Sequence, residues 1–124
     1  MSLQLDGVEW MASPPLVPDS GAIDEAHLAR MTLGDKSLAR EVLTMFSAQA
    51  SRLAAVLSSW PADAAALAHT LKGSARAIGA FAVADAAEEF EDALRRGNDA
   101  PERLAALDAA VDHARRAIGE LLER

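Results

Sequence analysis

The residues best equipped for chemistry stand together in "AHTLKGSARAIGA", residues 68–80. The stretch reads as helix, yet it carries a histidine, two cations and a glycine. At about 100° per residue, Leu71, Ser74 and Ile78 fall within about 40° of Leu67 and define a buried stripe. His69, Lys72, Gly73 and Arg76 fall between roughly 140° and 240°, on the opposite side. His69 therefore points away from its own helix's core, with a cation at i+3, another at i+7 and bare backbone at i+4. Two neighbouring cations disfavour an imidazolium, so they suit an anionic group arriving at the ring. A glycine inside a helix costs about 1 kcal/mol relative to alanine. Gly73 bears that cost where a side chain would overhang the histidine. The pattern describes an exposed, neutral, nucleophilic imidazole in a locally positive patch, and a phosphoryl group fits it.

The elements that must position these residues are helices. The chain has 124 residues, enough for about one domain with a real core. Alanine is abundant, tyrosine is absent, aromatics are 4%, and no β-branched run supports a strand. A tail of residues 1–21 is expected first, because residues 1–20 hold three of the five prolines and no sustained period; Trp10 or Leu16 could order it against a surface. The helical domain is expected over residues 22–124. It opens with a short helix in "IDEAHLARM" and passes "LGD", with Asp35 as N-cap of the next helix. That second helix, about residues 36–59, carries Leu43, Phe46, Ala50, Leu53 and Leu57 on one stripe. Pro61 or Asp63 opens the third helix, which ends near Gly79. The fourth, about residues 81–96, places Val83, Ala87, Phe90 and Leu94 on one side and is capped by Gly97. Asp99 and Glu102 form a capping-box-like start to the fifth, whose stripe is Leu104, Leu107, Val111, Ala114, Ile118 and Leu121. Four long amphipathic helices with short connections predict an all-α fold: an up-down antiparallel four-helix bundle with a short extra N-terminal helix.

The net charge of −7 and pI near 4.8 argue against nucleic acid and against an anionic membrane surface. No cysteine is present, which excludes disulfides, thiolate zinc sites and cysteine nucleophiles. The absence of a long apolar run or a signal-like N-terminus leads to the expectation of a cytoplasmic monomer. His27 and His113 have no acidic residues at metal-ligand spacing and are expected at the surface or its boundary, with no metal site. Ser74 is expected to bond a carbonyl one turn back. Leu38 and Met45 fall off the second helix's stripe. They either pack under the first helix or offer an apolar landing surface to a partner.

"AHTLKGSARAIGA" resembles the signature of histidine-containing phosphotransfer (HPt) domains, approximately H-x-L-K-G-S-S/A-x-x-x-G. His69, Leu71, Lys72, Gly73, Ser74 and Gly79 match it, and the resemblance covers about residues 23–121. It implies a four-helix bundle and a phosphoryl carrier, not an enzyme in its own right. His69 would accept phosphate from a receiver-domain phospho-aspartate or a hybrid histidine kinase and pass it on. It implies supporting roles for Lys72 and Gly73, and no cofactor of the chain's own, the magnesium being supplied by the receiver. The family's usual Gln or Glu on the following helix falls in register on Glu91, about 60° off the apolar stripe of the fourth helix. Accepting Nδ1–H there would leave the lone pair on Nε2. Arg76 and Arg95 would extend a positive rim, although Arg95 could equally be a routine Glu–Arg pair with Glu91 at i+4. Ala75 replaces a frequent serine. Two other functions remain open from the residues: a non-catalytic helical adaptor binding a receiver or kinase on the same face, and an enzyme using His69 as general base. The last lacks a second converging catalytic group.

Overall fold

The computed structural model describes residues 21–124; the expected tail, with Trp10 and Leu16, lies outside the described residues except for Gly21. Five helices follow in order: α1 (Glu25–Met31), α2 (Lys36–Leu57), α3 (Ala64–Ile78), α4 (Phe81–Arg96) and α5 (Ala100–Leu122). No strand occurs among the described residues. Each of the four long helices packs on two of the others in the ring α2–α3–α4–α5, while α1 lies against α2 and α3. Cross-links between helices give their sense. Arg115 Nε donates to Ser47 Oγ and Arg40 Nη2 to the Leu122 carbonyl, so the start of α2 meets the end of α5. The fold is the expected all-α, up-down four-helix bundle with an extra short helix in front.

Local chemistry explains most of the boundaries. Asp24 caps α1 by accepting from the His27 amide, and Asp35 caps α2 by accepting from the Leu38 amide. Asp63 precedes α3 without a side-chain cap bond. Asp99 precedes α5, but its backbone is left-handed at φ 64° and its side chain caps nothing. The capping box expected there does not form, because an N-cap side chain reaches the first-turn amides from an extended backbone. Gly97 closes α4 in a left-handed turn, as expected.

Gly79 does more than end α3. At φ 89° it adopts a conformation that favours glycine, and a Cβ there would stand 2.8 Å from the Asp24 carbonyl oxygen. That close approach lets the Asp24 amide donate to the Gly79 carbonyl at 2.9 Å, latching the entry of α1 onto the α3–α4 corner. The last glycine of the motif is thus architectural.

The core is built largely from the expected stripes: Leu43, Phe46, Ala50, Leu53 and Leu57 of α2, and Leu104, Leu107, Val111, Ala114 and Ile118 of α5 are all buried. Leu94 and Leu121 are half-buried, at the margins. The exception is α3. Its buried residues are Ala64, Ala68, Leu71, Ala75 and Ile78, whereas Leu67 and Ser74 are only half-buried. The true stripe is rotated by about 60° from the expected one, toward Lys72.

Candidate functional site

That rotation sets the geometry of the site. His69 remains far from the buried stripe, and its side chain is 68% exposed. Lys72, expected on the open face, moves to the α3–α4 boundary, where its side chain is only 14% exposed. Glu91 of α4 faces both across the helix pair and is 13% exposed. Its Oε2 lies 3.2 Å from His69 Nδ1, so the ring's second nitrogen, Nε2, is the one left for chemistry. Its Oε1 is shielded from solvent and lies 2.9 Å from Lys72 Nζ. The ammonium stands at ion-pair distance and stabilises the charged carboxylate by close polar contact as well as by Coulomb attraction.

One carboxylate thus serves two partners with its two oxygens. Burial pushes the Glu91 carboxyl up. Lys72 and His69 push it down by more, and it sits below its ordinary value. Glu91 is therefore a carboxylate at neutral pH. A carboxylate accepts but cannot donate, so Nδ1 must be the protonated nitrogen of a neutral His69 ring bonded to it.

The remaining cations are also engaged. Arg76 Nη2 meets Glu88 Oε1 at 2.7 Å across the same helix pair. Arg95 pairs with Asp92 one turn back, not with Glu91, and so does not join the histidine cluster. Arg103 of α5 pairs with Glu89. The locally positive patch expected around His69 is accordingly neutralised: α4 presents a carboxylate to both Lys72 and Arg76. Of the pairs between helices, sequence reasoning found only Glu91 with His69, since separations of 12 to 22 carry no helical period.

Gly73 is exposed, and a Cβ on it would meet nothing within 4 Å. No neighbour inside the domain requires a glycine there. The expected Ser74 bond does not form; Thr70 instead donates back one turn, to the Ala66 carbonyl at 3.1 Å. Met45, 65% exposed, stands with Val42, Phe46, Ser74 and Ala77 along a surface groove between α2 and α3, and Leu38 is 39% exposed. His27 is half-buried with its ring edge-on to Phe81, and His113 is exposed. No cluster of three or more metal-ligating side chains occurs among the described residues. No helix among them is long and apolar enough to cross a membrane.

Searches of curated proteins and of solved structures returned no match. The family comparison did: residues 41–117 match the model of the Hpt domain. The matched segment runs from early α2 to late α5; it contains the motif, Glu91, the whole of α3 and α4 and most of α2 and α5. Hpt domains are phosphotransfer carriers of phosphorelays and work with receiver domains and kinases. A histidine presented from the middle of a bundle helix and matched to that model over more than half of the chain makes this protein a member of the Hpt domain family.

Proposed function

We propose that this protein is a phosphorelay intermediate in which His69 Nε2 takes a phosphoryl group from a receiver-domain phospho-aspartate, or from a hybrid histidine kinase, and returns it to a receiver aspartate. The observation that carries the reading is the pairing of an exposed imidazole with a half-buried carboxylate on Nδ1. In the transfer, the Nε2 lone pair forms the N–P bond as the P–O bond of the aspartyl phosphate breaks, releasing the aspartate carboxylate. The ring gains positive charge as it donates, and the Glu91 carboxylate on Nδ1–H offsets that charge where it develops. Because Lys72, Arg76 and Arg95 are each already paired, the charge of the transferring group is left chiefly to the receiver to compensate. The open space over Gly73 gives that partner room to approach.

The test is transfer from a ³²P-labelled phospho-receiver to the wild type and to His69→Gln. Label is expected only on the wild type, as an acid-labile, base-stable phosphoramidate. Equal label on both proteins refutes the acceptor role, and no label on either reduces the chain to an adaptor.

A further inference from the structure

Lys72 belongs to the motif, and proximity to His69 would suggest that its ammonium greets the incoming phosphoryl group. The geometry points elsewhere. We infer that Lys72 is a positioning residue acting through Glu91: it is the counter-charge that keeps the half-buried carboxylate seated on His69 Nδ1, and it does not contact the phosphoryl group. The inference rests on the reading of His69 as acceptor and assigns the division of labour around it.

Three observations support it. Lys72 Nζ stands 2.9 Å from Glu91 Oε1, and its side chain is 14% exposed, against 68% for His69. The lysine is therefore sunk into the α3–α4 seam while the imidazole projects from it. Second, Glu91 Oε1 is closed to solvent, and the Lys72 ammonium is the one ion-pair partner of that oxygen among the described residues, His69 being on Oε2. A charged oxygen shut away from water and from any counter-charge is strongly disfavoured. Third, the next cation along α3, Arg76, is held by Glu88 and is not available to replace it.

Removing the ammonium would leave Glu91 two escapes: to swing outward into water or to take up a proton. The first ends the acceptance from Nδ1–H, and the second weakens it, because a neutral carboxyl is a poorer acceptor than a carboxylate. The ring is then free to place its proton on Nε2, and that tautomer carries its lone pair on Nδ1, leaving none at Nε2 to attack phosphorus with. The motif lysine would thus govern the histidine at one remove, by way of a residue 19 positions further along the chain.

A double-mutant cycle on the full chain separates this from a direct role. The variants are Lys72→Met, Glu91→Gln and the pair together, with phosphoramidate as the small-molecule phosphoryl donor and with helicity checked by circular dichroism. Glutamine at 91 is neutral and needs no counter-charge. We expect Lys72→Met to slow phosphorylation about tenfold in the wild-type background, and by less than about twofold once Glu91 is glutamine. The same factor in both backgrounds overturns the inference, because an ammonium acting on the phosphoryl group is indifferent to residue 91. A second readout is independent of rate. The ¹⁵N shifts of the His69 ring at pH 8 should report the Nδ1–H tautomer in the wild type and its loss in Lys72→Met. Retention of that tautomer in Lys72→Met also overturns it. Labelling of His69→Gln at the wild-type rate identifies the other failure, that of the acceptor reading itself.

Discussion

Replacement of Gly73 should separate stability from transfer, moving them in opposite directions. A Cβ at position 73 meets nothing within 4 Å, so alanine adds no clash and removes the conformational freedom that makes glycine a poor helix residue. The gain is about 1 kcal/mol, which for a domain of this size corresponds to a rise in Tm of about 5 °C. Leucine has nearly the helix preference of alanine and should stabilise similarly. Its effect on function is different. Helical side chains lean toward the N-terminus and cover the preceding turn, so a side chain at 73 lies over the turn that holds His69. Gly73→Leu should then reduce transfer from a phospho-receiver by about tenfold or more, with Gly73→Ala intermediate. Gly119 of α5 provides the control: it too is helical and exposed, with open space around its Cβ position. Gly119→Ala should raise Tm by a comparable amount and leave transfer untouched. Thermal unfolding by circular dichroism and labelled transfer are run on the same four proteins. Wild-type transfer by Gly73→Leu would refute the argument that the glycine clears an approach. A fall in Tm for Gly73→Ala would show that the backbone there is not the open helix described.

Glu91 has its carboxyl held below the ordinary value of 4.5, burial being outweighed by Lys72 and His69. Its ionised form therefore contributes stability that is present at pH 7 and lost as pH falls below 4.5 through the lowered value. Urea titrations of wild type and Glu91→Gln should show the wild type losing stability relative to the variant between pH 5 and pH 3. Asp108 is the opposite case: burial, then the nearby Asp112, push its carboxyl up. The sign reverses, so the penalty is absent at low pH and grows as pH rises through the raised value. Asp108→Asn should increase the urea midpoint at pH 7 and leave it unchanged at pH 3. Phe90 is fully buried and meets the ring of Trp60 edge-on at 5.9 Å between centroids. Phe90→Ala should cost about 3–5 kcal/mol and shift Trp60 emission to the red as that contact opens.

Legibility of the fold followed the size of the side chains. On α2, four of the five buried stripe residues are Leu or Phe, and the stripe read from the sequence is the one observed. On α3 the buried positions include Ala64, Ala68 and Ala75, set among exposed alanines at 65, 66 and 77. Alanine is equally at home on either side, so a stripe centred on Leu67, which is only half-buried, departs from the true one. That single error put Lys72 in solvent. The histidine survived it because it lies far enough round the helix to be exposed under either rotation. Glu91 was found only through the register of a family pattern. The partners of Arg76 and Arg103 depend on which helices become neighbours and how far each slides, which no local period records; Arg95 had acids at both i−3 and i−4, and the helical period alone does not choose Asp92 over Glu91. The left-handed backbone of Asp99 was equally hidden, since aspartate before Pro101 and Glu102 reads as an ordinary cap.

The same alanines that blurred the reading are what make the site possible. Ala68 and Ala75 flank Lys72 on α3, and Ala84 and Ala87 share a stripe with Glu91 on α4; all four are at most 1% exposed. Helix separation is set by the side chains at the contact. With alanines at these buried positions beside Lys72 and Glu91, little side-chain bulk stands in the way of a close approach of α3 and α4, and one glutamate spans the two helices. It then reaches a lysine below the surface and a histidine above it. Leucines at those positions would hold the helices apart and leave Glu91 to choose water over both. A seam of small residues therefore stands behind the chemistry as directly as the motif does. The motif supplies an imidazole, a cation and open space over Gly73 on one helix; the alanines beside them leave room for the second helix to bring its carboxylate to His69 Nδ1, the contact on which the proposed transfer rests.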